Sequence, residues 1–124
     1  MTWVLIGVAG AAGALARLAM GGWMASRRGS AGFPWATFAV NLLGSFLLGL
    51  LTGLALGRGA LSPTVKAMLG AGFLGAFTTF STWQAEMFRT YQQGERQMAW
   101  ANLLLSTGAG LLAAWLGIAL GWRL

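Results

Sequence analysis

The sequence contains no cysteine and no histidine, and its only acidic residues are Glu86 and Glu95. Without cysteine, disulfides and thiolate metal sites are excluded, and cysteine usage says nothing of the redox compartment. Without histidine, the commonest general base and metal ligand is missing. The two carboxylates stand nine residues apart, one in an apolar run and one in a polar connection, and make a poor acid–base couple. This inventory speaks against hydrolytic or metal-dependent catalysis, and the chain is not expected to be an enzyme. Charge of either sign is scarce, at 8% of residues against about 25% in soluble domains. With 57% hydrophobic residues, such a surface would not be wetted, so lipid is the implied solvent. The mean hydropathy of +0.70 agrees.

What remains is apolar and small. The 124 residues include twenty glycines and fit one domain, 1–124. Apolar runs long enough to span a bilayer fall at about 3–24, 34–56, 63–88 and 97–121. Ser26-Arg27-Arg28-Gly29-Ser30 breaks the first from the second, which Pro34 opens. Gly57-Arg58-Gly59 closes the second, and Ser62-Pro63 predicts an N-cap with proline at the first helical position. Trp3, Trp23, Trp35, Trp100 and Trp122 mark interfaces, while Trp83 and Trp115 lie deeper. The first run lacks a basic leader and precedes further spans, so a cleaved signal peptide is not expected.

The net charge of +6 sits in the short connections, which points to anionic lipid headgroups and not to nucleic acid. Four spans place Arg58, Lys66 and Arg123 on one side, and Arg27, Arg28, Arg89 and Arg96 on the other, with Arg17 as a possible fifth. Three against four or five is too small an asymmetry to fix orientation. Dual insertion and an antiparallel homodimer are one reading; a single topology set by a small bias is the other.

Small residues four apart, such as Ala9/Gly13 and Asn41/Ser45/Gly49, let helices approach closely, and plain packing accounts for most glycines. Polar groups within spans are few. Thr37, Asn41 and Ser45 share one face of the second helix, and Asn102 and Ser106 one face of the fourth. These are donor rows suited to an anion, to water or to interhelical hydrogen bonds. Thr79, Thr82 and Glu86 share a face; Glu86 is readable as a proton carrier, a hydrogen-bond anchor, or a hydrated group near Arg89. Arg17 either snorkels to the interface or lends positive charge to a vestibule.

The third run carries Gly75-Ala76-Phe77-Thr78-Thr79-Phe80-Ser81-Thr82-Trp83, a poor uninterrupted helix. A helix break in mid-membrane frees backbone groups, which survive only when buried in protein or facing a wet cavity or an ion. Carbonyls turned inward would suit a hard monovalent cation without any acidic ligand. Phe77, Phe80 and Trp83, three apart, share a helical face. Their positive ring edges could hold an anion that a carboxylate would repel.

Three segments resemble the Fluc fluoride channel family, also called CrcB. They are Gly10-Ala11-Ala12-Gly13-Ala14-Leu15-Ala16-Arg17, Val40-Asn41-Leu42-Leu43-Gly44-Ser45-Phe46, similar to V-N-x-x-G-S-F, and Gly75 to Thr82, similar to G-x-x-T-T-F-S-T. Length and span number match, so the resemblance covers essentially the whole chain. It implies an all-α membrane protein of four transmembrane helices, the third broken near its middle, forming an antiparallel dual-topology homodimer. It implies passive export of fluoride from the cytoplasm through two pores per dimer, in a bacterial plasma (inner) membrane. It further implies a structural Na⁺ on the dimer axis, held by the carbonyls of Gly75 and Thr78. The fluoride pore falls on Asn41, Phe80, Ser81, position 83 and Ser106; apart from the resemblance, Arg17, Thr82 and Glu86 are candidate supporting residues by their place in the spans. Position 83 departs from the family, since Trp83 stands where the pattern has phenylalanine and brings an N–H donor. The alternative function is a small proton-coupled multidrug-type exporter using Glu86. A third is a non-transporting assembly subunit.

Overall fold

The computed structural model describes residues 1–29, 32–59 and 61–124, and every described element is helical. The first helix, α1, covers Thr2–Arg28 and the second, α2, covers Trp35–Arg58. The third span is composite. It runs from α3 (Pro63–Lys66) through a π-helical stretch (Ala67–Leu74) and α4 (Gly75–Phe77) to α5 (Phe80–Gln92). The last helix, α6, covers Arg96–Arg123. Among the described residues, α1, α2 and α6 are each long and apolar enough to cross a membrane. At 27 residues α1 rises about 40 Å, more than the roughly 30 Å hydrocarbon layer, so Arg27 and Arg28 reach the headgroups. The chain is a multi-pass helical membrane protein.

The local signals behave as physics requires. Ser62 caps α3 by accepting the Val65 N–H at 3.2 Å, with Pro63 at the first helical position. Gly59 ends α2 in the left-handed region, at φ 58°, which a residue with a Cβ would rarely adopt.

Packing is inside-out relative to a soluble protein. Val8, Leu15, Leu18, Leu104, Leu111 and Trp115 are exposed, forming an outward apolar face. Thr37, Thr79 and Asn102 are buried. The tightest seam joins α2 to α6 through glycines. A Cβ on Gly117 would collide with the Phe46 carbonyl and approach Leu50 N to 2.7 Å; one on Gly121 would approach Leu54 N to 2.8 Å. Facing them, Gly49 and Gly53 lie against the backbone of Ala114 and Ile118. A second seam joins α1 to the π-helical stretch, where a Cβ on Gly72 would sit 2.8 Å from the Ile6 carbonyl. The expected Ala9/Gly13 pair takes part here, with Gly13 against the Phe73 carbonyl.

The helix interruption lies later than the glycine pattern alone indicated. Gly75 is helical (φ −61°, ψ −37°), and its N–H bonds back to the Gly70 carbonyl, closing the π-helical stretch. The chain turns extended at Thr78 (φ −76°, ψ 158°) and Thr79 (φ −147°, ψ 119°). Branched threonines suit extended backbone, whereas glycine merely tolerates it.

Candidate functional site

Two side chains replace the helical hydrogen bonds that the interruption removes. In a continuous helix the Thr79 N–H would bond the Gly75 carbonyl, but here it donates to Asn41 Oδ1 at 2.8 Å. Asn41 Nδ2 in turn donates to the Thr79 carbonyl at 2.9 Å. The carboxamide of α2 thus pairs with one peptide of the third span as a neighbouring strand would. The Thr82 N–H, due to the Thr78 carbonyl, instead reaches Thr79 Oγ1 at 3.3 Å and caps α5. The Gly75 and Thr78 carbonyls therefore lose their i+4 donors, and they are the two carbonyls the resemblance assigned to a cation.

A groove of about 470 Å³ opens beside the interruption, between α2, the third span and α6. It brings together Asn41, Gly75, Thr78, Phe80, Trp83 and Ser106 from the sequence-derived set, with Ser45 and Thr107 beside them. Phe80 is 69% exposed, a large ring left uncovered at a polar break. It meets Trp83 edge-on, with ring centroids 5.7 Å apart and planes at 73°. Trp83 Nε1 donates to Asn102 Oδ1 at 3.0 Å, and Ser106 Oγ donates to the same oxygen at 2.7 Å.

A second cavity of about 390 Å³ lies on the other side of the Asn41 bridge and collects Arg17, Thr37, Thr79, Thr82 and Glu86. Thr37 Oγ1 donates to Glu86 Oε1 at 2.9 Å, which makes the carboxylate a hydrogen-bonded anchor. Arg17 Nε and Glu86 Oε2 are buried without a protein partner. Arg17 lines this cavity with its Nε buried. The Thr37–Asn41–Ser45 row is divided, with Thr37 lining the second cavity and the other two the first. Ser81 is exposed and borders neither cavity. Periodicity did not reveal that Thr79 supplies the paired peptide, nor that Asn102 is the acceptor for the indole.

Among the described residues no group of three or more His, Cys, Asp or Glu side chains that could hold a metal ion occurs. The fold and grooves define a multi-pass helical membrane protein with a ring-lined, mostly apolar groove beside a side-chain-braced helix break. The chain belongs to the CrcB family: the family described as CrcB-like protein, Camphor Resistance (CrcB), matches residues 4–118. It is 65% identical over 122 residues to the fluoride-specific ion channel FluC 1 of Symbiobacterium thermophilum, covering 98% of each chain. It is 44% identical over 118 residues to the fluoride-specific ion channel FluC of Geotalea daltonii, covering 95% of this chain and 94% of that one. A further relative, the fluoride-specific ion channel FluC of Thermus thermophilus, is 44% identical over 122 residues, 98% of this chain and 94% of that one.

Proposed function

We propose that this chain is a fluoride-selective channel of the bacterial plasma membrane, exporting fluoride passively through two pores of an antiparallel dual-topology homodimer. The observation that carries this reading is the 65% identity, across 98% of both chains, to a protein named as a fluoride-specific channel. The geometry agrees with it. Fluoride holds its water tightly, so a pore must offer substitutes without binding so firmly that exit fails. Asn41 keeps one amide proton beyond its bond to Thr79, Phe80 offers a ring edge, and Ser81 an exposed hydroxyl. Arg17 in the second cavity adds positive charge along the approach. Conduction needs no covalent step.

The dimer accounts for features that a lone chain leaves unexplained. Gly75 and Phe80 are exposed beside released polar backbone, which lipid would not satisfy. A second, inverted copy would cover them, and the small charge asymmetry permits both orientations. The carbonyls of Gly75 and Thr78, from each of two copies, fit a structural Na⁺: they are neutral, hard oxygen donors without helical partners. The ion would supply fixed positive charge that holds the two breaks together.

Reconstituted in liposomes, the protein is expected to release fluoride far faster than chloride, and Asn41→Asp to weaken that release. Efflux that requires an imposed proton gradient and is lost in Glu86→Gln would favour the exporter. Absence of flux, with co-purification of a larger protein, would favour an assembly subunit.

A further inference from the structure

We infer that Asn102 is the positioning residue for Trp83, and that this tie sets how strongly the pore refuses larger anions. The inference rests on the fluoride-channel reading for its selectivity half only; the tie itself stands on geometry. Indole nitrogen can only donate, so the Asn102 atom it meets at 3.0 Å must be the oxygen. Ser106 Oγ donates to that same oxygen at 2.7 Å, filling its second lone pair. Asn102 is 2% exposed, so water does not compete for the position. The bond links α5 to α6 across 19 residues, beside the groove that Trp83 and Ser106 both line.

The consequence lies in what the groove is offered. An indole N–H free in the groove would be a strong, sequence-specific addition: a neutral donor open to chloride as well as to fluoride. Held by Asn102, the ring turns its one polar atom toward α6 and meets Phe80 through carbon, with ring centroids 5.7 Å apart. Trp83 then acts as an apolar ring, and the larger indole is accommodated without adding an indiscriminate anion site. Trp83 and Asn102 are thus one device: without Asn102 the indole N–H loses its acceptor, and without Trp83 the carboxamide oxygen keeps only Ser106.

The test has two arms. Asn102→Leu is expected to lower the fluoride-to-chloride efflux ratio by about 3- to 15-fold, the span of one interhelical hydrogen bond in membranes. Trp83→Phe/Asn102→Leu is expected to recover most of the ratio, since donor and acceptor leave together. In the second arm, protein with ¹⁵N-labelled indoles is examined in micelles by NMR. Trp83 is assigned among the seven tryptophans by the signal missing in Trp83→Phe. Its N–H is expected to exchange slowly with D₂O in the parent and at least tenfold faster in Asn102→Leu. Fast exchange in the parent, an unchanged efflux ratio in Asn102→Leu, or a double variant no better than the single overturns the inference. If Asn102→Leu does not fold, the parent's exchange rate decides alone. Equal fluoride and chloride flux in the parent overturns the channel reading, while indole protection continues to report the tie.

Discussion

The bridge between Asn41 and the Thr79 peptide is the contact on which the helix interruption depends, and Asn41→Leu removes it with little change of volume. Two hydrogen bonds are lost, at 2.8 and 2.9 Å, and the Thr79 N–H and carbonyl are left without partners. Thr79 is only 9% exposed, so water gives little relief. Interhelical hydrogen bonds in membranes average about 0.6 kcal/mol and reach about 1.7, so the pair is worth roughly 1–3 kcal/mol. Thermal unfolding in detergent, followed by circular dichroism, reads that loss directly. Fluoride efflux from liposomes should fall by at least about tenfold, because each 1.4 kcal/mol of misplacement on the path is a factor of ten. Asn41→Asp tests the charge. It keeps an acceptor for the Thr79 N–H but sets a carboxylate oxygen against the Thr79 carbonyl and adds negative charge beside the proposed anion path, so stability should fall as well and efflux at least as far as in Asn41→Leu. An Asn41→Leu protein with parental stability and parental efflux would refute the reasoning.

Gly117→Val drives a branched side chain into the Phe46 carbonyl and Leu50 N. Overpacking of this kind costs about 1–3 kcal/mol, so earlier unfolding or aggregation on gel filtration is expected. Thr79→Val removes the α5 cap and should cost about 0.5–2 kcal/mol in the same unfolding assay, whereas Thr79→Ser keeps the hydroxyl and should cost less. Exchange of Na⁺ for a bulky organic cation should lower the unfolding midpoint, and adding Na⁺ back should restore it saturably. An unchanged midpoint would remove the carbonyl site from the account.

Much of the fold is written in short-range chemistry. Ser62-Pro63 and Gly59 marked helix ends because capping depends on residues within a turn of one another. The hydroxyl cluster after Gly75 signalled an interruption because a run of branched, self-bonding side chains disfavours a helix. Its place was less legible. The π-helical stretch before it carries Gly75 onward as helix, and the extended residues are Thr78 and Thr79. Asn41 stood out as a mid-span amide, but its partner lies 38 residues away on another helix. Periodicity names the face of a helix and not what that face meets. For the same reason Glu86 stayed open between a proton carrier, a hydrogen-bond anchor and a hydrated group near Arg89, while in the fold Thr37 of α2 reaches it at 2.9 Å. The indole of Trp83 posed a question at the level of sequence because its N–H needs an acceptor. Asn102 answers it from α6, where it read only as one member of a polar row.

Selective anion conduction is the central claim, and a bi-ionic reversal potential tests it most directly. With fluoride on one side of a planar bilayer and an equal concentration of chloride on the other, the current through the purified protein is nulled by voltage. The account expects a reversal potential well beyond 59 mV in the direction of fluoride, about 59 mV being the value for a tenfold preference. A reversal potential near zero would contradict it.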